Sequence, residues 1–113
     1  MTSTITRAEL RDAIESGAVT VVEALPARYF DDAHLPGAIN IPHTEVARLA
    51  PELLPDKDAA IVTYCSNTAC ANSGIAAAQL TKLGYANVRK YADGKDDWRA
   101  TGLPLEQGAP VAG

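Results

Sequence analysis

The chain has 113 residues, a length that suits one compact domain over 1–113 and leaves no room for a second. Apolar residues at 47 % and charged residues at 21 % exclude intrinsic disorder. Fourteen acids against ten bases give a net charge of −4 with no Lys/Arg run, so a nucleic acid or an anionic membrane surface lacks its electrostatic footprint as a partner.

The start, Met1-Thr2-Ser3-Thr4-Ile5-Thr6-Arg7, has no basic-then-apolar leader, and no stretch approaches ~18 uninterrupted apolar residues. A cytoplasmic location is expected. The two cysteines, Cys65 and Cys70, are too few for a secreted disulfide scaffold and too close together to staple the chain globally. Local thiol chemistry stays open.

In chain order, Thr6-x-x-Glu9 is a capping-box pattern that predicts a helix over about residues 7–16, with Leu10 and Ile14 as its inward stripe and Gly17 as its stop. Val19-Thr20-Val21-Val22 predicts a buried parallel strand. A short helix over about residues 25–32, with Pro26 in its first turn, leads to a turn at Leu35-Pro36-Gly37. Ile39-Asn40-Ile41 predicts a short strand, and Thr44 to Leu54 a helix that Pro51 is able to break. Ala59 to Tyr64 is a strong strand ending directly at Cys65. Ser73 to Leu83 reads as a helix with Ala76, Leu80 and Leu83 on one face and Gly84 as its stop. Asn87 to Tyr91 predicts a further strand, followed by a turn at Asp93-Gly94, a short helix around Asp96 to Arg99, and a tail whose last residues, 106–113, are expected to be loosely ordered. Strands alternating with helices imply an α/β domain whose mostly parallel sheet is covered on both faces, with any ligand site beyond the carboxyl ends of the strands.

Cys65 occupies such a position. The segment Ser66, Asn67, Thr68, Ala69, Cys70, Ala71, Asn72 and Ser73 joins a buried strand to a helix through small residues, so its amides are expected to curl around one point as a cradle for negative charge. A thiol facing a helix N-terminus is expected to fall from about 8.5 to about 5–7 in pKa, which makes Cys65 a thiolate at neutral pH. The bland alternatives are a packed, inert Cys65 and a bystander Cys70. Zinc on Cys65, Cys70, His34 and His43 is disfavoured because the histidines form no ligand pair. His34 is expected to bond nearby backbone, His43 to be a polar residue near a helix start, and Trp98 to plug the core. Asp31-Asp32 and Asp96-Asp97 are adjacent carboxylates facing different ways, and read as solvated charges or caps.

These residues resemble the rhodanese family of sulfurtransferases in its single-domain form, over about Ile5 to Leu105. His34-Leu35-Pro36-Gly37-Ala38-Ile39-Asn40-Ile41-Pro42 looks like the family's first signature, and Val62-Thr63-Tyr64-Cys65 like the strand that delivers the nucleophile. Gly84-Tyr85-Ala86-Asn87-Val88, Trp98 and Gly102-Leu103-Pro104 resemble its C-terminal pattern. The resemblance implies a rhodanese-like, mostly parallel five-stranded sheet flanked by helices. It also implies a catalytic Cys65 alternating between thiolate and persulfide in the 66–73 cradle, with no cofactor or metal. The partners implied are a small sulfane-sulfur donor and an acceptor that is a thiol, cyanide or a protein cysteine.

The sequence departs from the family at three places. Counting back from Gly84, Asn72 fills the place of the family's Arg or Ser before the helix, leaving six residues between it and Cys65. The stretch 66–73 has no Arg or Lys, so uncharged or singly charged donors are expected in place of thiosulfate, and the phosphatase or arsenate reductase chemistry of related enzymes lacks its oxyanion-binding fork. Glu23-Ala24-Leu25 stands where the family has Asp-x-Arg, and the ion pair made there is expected to be lost. Cys70 is the third departure: curled inward it is a resolving thiol for Cys65, which also allows a non-catalytic binding or redox-sensing module.

Overall fold

The computed structural model describes residues 3–108. The elements are β1 (Ser3–Thr4), α1 (Arg7–Ser16), β2 (Thr20–Glu23), α2 (Ala27–Asp32), β3 (Ile39–Asn40), α3 (Val46–Leu53), β4 (Ala60–Tyr64), α4 (Asn72–Lys82), β5 (Asn87–Tyr91) and α5 (Gly94–Ala100). All five strands are parallel in one sheet of order β1-β5-β4-β2-β3. This is the expected α/β architecture.

Period-two alternation along the central strands divides the core into two layers. Val21, Val62 and Tyr64 face one side, where they pack with Leu10 of α1, Phe30 of α2 and Trp98 of α5. Val22 and Ile61 face the other, against Val46 and Ala50 of α3 and Ala76 and Leu80 of α4. Helices therefore cover both faces. From β2 the chain runs outward to β3, then returns to the other side of β2 as β4 and continues to β5. The strand order reverses between β2 and β4, and the crevice beyond their carboxyl ends is the ligand position of such sheets.

The local signals act as expected at most element ends. Thr6 and Glu9 form the complete capping box of α1, and Gly17 closes that helix in the left-handed conformation at φ 71°. Three features differ from expectation. β1 is two polar residues long, too short to show periodicity, and exists because its backbone pairs with Arg89 and Lys90 of β5. α3 runs through Pro51: both Ala47 and Pro51 are exposed, so the carbonyl deprived of its partner faces water. The chain at 106–108 is pinned. Glu106 exchanges both backbone hydrogen bonds with His34 at 2.9 and 2.8 Å and accepts from the Gly37 amide, and the Gly108 amide donates to Asp31. The rest of the tail lies outside the described residues. Among them no helix is long and apolar enough to cross a membrane.

Candidate functional site

Cys65 follows β4 directly, at the carboxyl end where the strand order reverses. Alternation turns Tyr64 into one core layer and sends Thr63 and Cys65 toward α4. There the Thr63 hydroxyl donates to the Ser73 carbonyl at 2.9 Å, and Cys65 Sγ lies 3.5 Å from Ser73 Oγ. Thr63 and Ser73 are both buried, so the contact that sets Ser73 against the sulfur is shielded from water.

Cys65 itself is 1 % exposed, but its sulfur is surrounded by polar groups. Its S–H donates to the Cys70 carbonyl at 3.3 Å. Asn67 shapes that approach: its carbonyl accepts from the Cys70 amide at 3.1 Å, and its side-chain oxygen accepts from the Ala69 amide at 3.0 Å. Of the eight expected cradle residues, Cys70 and Ser73 are brought to the sulfur. Asn67 stitches the loop, Thr68, Ala69 and Ala71 are exposed, and Asn72 opens α4.

The lowering expected of the Cys65 thiol is not found; the shift runs the other way. Burial pushes the Cys65 thiol up, and the Cys70 side chain adds to the rise; the Ser73 hydroxyl and amide pull it down by less. The loop turns a carbonyl as well as an amide toward the sulfur, and a carbonyl stabilises S–H rather than S⁻. The geometry thus works against the thiolate at Cys65 rather than for it.

The segment is held from below by α5. The Lys95 amide donates to the Cys65 carbonyl and the Asp96 amide to the Ser66 carbonyl, both at 2.8 Å, and Asn67 Nδ2 donates to the Asp96 carboxylate at 3.1 Å. This approach requires glycine. A Cβ on Gly94, at φ +74°, would lie 2.6 Å from the Cys65 carbonyl oxygen and 2.7 Å from the Ser66 carbonyl carbon. From sequence Asp93-Gly94 reads as a turn alone; a glycine that opens a helix after a gap of two residues from a strand is the available signal for such close approach.

The ion pair expected to be lost is present with another partner. Lys95 Nζ lies 2.9 Å from Glu23 Oε1, and both side chains are buried. The Tyr64 hydroxyl donates to the same oxygen at 2.8 Å and accepts from the Leu35 amide, while Lys95 also donates to the Tyr29 carbonyl. Burial pushes the Glu23 carboxyl up, and the Lys95 ammonium and Tyr64 hydroxyl draw it back.

Other candidates fall elsewhere. His34 stacks on Phe30 and its Nδ1 lies 2.9 Å from the Phe30 carbonyl oxygen, the backbone contact expected of it. His43 Nδ1 is buried and meets no hydrogen-bond partner among the described residues. No group of three or more His, Cys, Asp or Glu side chains among the described residues is placed to hold a metal. Trp98 plugs the core, with its indole N–H on the Pro104 carbonyl. Asp96 and Asp97 do more than face solvent: Asp96 holds the loop through Asn67, and Asp97 accepts from Arg7 at 3.0 Å and from the Tyr91 hydroxyl.

Comparison with known proteins agrees with this geometry. The model of the rhodanese-like domain matches residues 6–101. The chain is 41 % identical over 107 residues to the HTH-type transcriptional regulator Rv0324 of Mycobacterium tuberculosis, covering 95 % of this chain and 46 % of that protein. It is 36 % identical over 72 residues to thiosulfate sulfurtransferase PspE of Escherichia coli, covering 64 % of this chain and 66 % of that one. The chain thus spans about half the length of the first relative and just under two thirds of the second. Among solved structures, the BH2092 protein of Bacillus halodurans superposes with a TM-score of 0.83 at 29 % identity, over 94 % of this chain and 77 % of that one.

Proposed function

From the premise that this chain belongs to the rhodanese-like domain family, we propose that it is a sulfurtransferase with Cys65 as nucleophile and persulfide carrier. The observation that carries the proposal is the placement of Cys65 Sγ at the switch point of the sheet, against the hydroxyl and amide of Ser73 at the start of α4. With its pKa raised, the thiol gives up its proton to solvent as it attacks the outer sulfur of a sulfane donor. The donor's remainder leaves as an anion, and the Ser73 donors take up the charge that appears on Cys65. A thiol, cyanide or a protein cysteine then removes the outer sulfur and regenerates Cys65. With no Arg or Lys in 66–73, the favoured donors are uncharged or singly charged, such as an aryl thiosulfonate. The test is thiocyanate formation from an aryl thiosulfonate and excess cyanide. Turnover lost in Cys65→Ser is the expected result; equal thiocyanate from wild type and Cys65→Ser overturns the assignment.

A second function is supported by one finding: the relative at 41 % identity is named as a transcriptional regulator. On this account the same Cys65 chemistry serves as a sensor input rather than as steady turnover. It is favoured if Cys65 takes up sulfur stoichiometrically while thiocyanate turnover stays negligible.

A further inference from the structure

Cys65 and Cys70 are both free thiols, and they sit in one folded loop. The turn closed by the Asn67 carbonyl and the Cys70 amide carries Cys70 back over the nucleophile, so that its carbonyl oxygen is 3.3 Å from Cys65 Sγ. Cys65 is buried whereas Cys70 is half-buried and reaches solvent. The Cys70 side chain itself bears on the Cys65 thiol, so a sulfur bound to Cys65 has a second thiol in the same loop turn before any external acceptor arrives.

We propose that Cys70 resolves the Cys65 persulfide, so that in the absence of an acceptor the domain releases hydrosulfide and locks itself as a Cys65–Cys70 disulfide. This rests on sulfur uptake by Cys65 and adds a reductive activity to it. The Cys70 thiol gives up its proton to solvent and its sulfur attacks Cys65 Sγ, the inner atom of the persulfide. The Cys65–Cys70 bond forms, the bond between inner and outer sulfur breaks, and the outer sulfur leaves as hydrosulfide, which takes up a proton. In sum, Cys65–S–SH and Cys70–SH give the disulfide and H₂S: the Cys70 sulfur is oxidised from thiol to disulfide, the outer sulfur is reduced to sulfide, and the Cys65 sulfur keeps the oxidation level it reached when it took up the sulfane sulfur. Two equivalents of a small thiol, the first attacking at the half-buried Cys70 sulfur, return both cysteines to thiols and leave as a small disulfide.

The alternative attack, on the outer sulfur, would move the persulfide to Cys70 and expel Cys65 as thiolate. Burial and the Cys70 contacts make that thiolate a poor leaving group, whereas hydrosulfide is the less basic one, and exchange runs faster with the less basic leaving group. The loop geometry and the leaving-group order point the same way.

The experiment exposes the reduced full chain to a benzenethiosulfonate, without cyanide or thiol, and follows intact mass and hydrosulfide trapped with a bimane. The expected wild-type product has lost two hydrogens and released roughly one hydrosulfide per chain, while Cys70→Ser keeps one added sulfur on Cys65 and releases at least about tenfold less hydrosulfide. Wild type that holds the added sulfur on Cys65, or shows it on Cys70 after digestion, overturns the resolving role. If Cys70→Ser takes up no sulfur on Cys65 while its circular dichroism matches wild type, sulfur transfer at Cys65 fails instead, and the two failures are thereby separated.

Discussion

Lys95 serves the site through two different atoms: its ammonium lies 2.9 Å from the buried carboxylate of Glu23, and its amide donates to the Cys65 carbonyl at 2.8 Å. One residue of α5 therefore ties the end of β2 to Cys65. Lys95→Met leaves Glu23 charged and buried beside only the Tyr64 hydroxyl, and removing one partner of such a pair costs about 3–5 kcal/mol. The double variant Glu23→Gln, Lys95→Met should recover more than half of that loss in urea unfolding. A double variant no more stable than the single one would show that the pair is not what holds α5.

Gly94 and Gly74 form a matched test. Gly94→Ala drives a Cβ into backbone of Cys65 and Ser66 at a positive φ, and should destabilise the chain by about 2–4 kcal/mol while reducing sulfur uptake. Gly74 lies inside α4, and a Cβ there meets only the Lys90 side chain, at 3.7 Å. Gly74→Ala should stabilise by about 0.5–1 kcal/mol. Thermal melts of the two variants moving in the same direction would contradict this.

Iodoacetamide at neutral pH should label half-buried Cys70 before Cys65, because the Cys65 thiol is buried and its pKa is raised. Ser73→Ala removes one of the groups that draw the thiol down, so the alkaline rise in Cys65 labelling should shift to still higher pH. Peptide mapping across pH reads both. Rapid labelling of Cys65 at pH values near 6 would indicate a thiolate.

Asp97 is held below its ordinary carboxyl range by the Tyr91 hydroxyl and by Arg7. A carboxyl whose pKa is depressed on folding stabilises the fold above its unfolded value of 3.8 and loses that contribution as pH falls through the folded one. Its side chain is 27 % exposed, so the effect is a few degrees rather than collapse. Melting temperatures of wild type and Asp97→Asn should differ at pH 7 and converge toward pH 3, and a constant gap would place the loss elsewhere.

The short apolar runs at 19–22 and 59–64, the capping box at Thr6 and Glu9, and the stops at Gly17 and Gly84 are local signals, and each specified its own element. Chain order then forced a parallel sheet, and the end of β4 placed Cys65 beyond it. β1 was illegible because two polar residues owe their strand conformation wholly to pairing with β5. The replacement of an adjacent cation by Lys95, about seventy residues from Glu23 along the chain, was illegible for a similar cause: an ion pair is fixed by which helix returns over which strand.

The sequence by itself determined the fold class and the position of Cys65 beyond the end of β4, because backbone periodicity and strand ends depend on near neighbours. Only the tertiary structure decided the direction in which the Cys65 thiol shifts, the nearness of Cys70 and the need for glycine at position 94. Desolvation, the direction of a carbonyl and the approach of one backbone to another are set by groups distant along the chain.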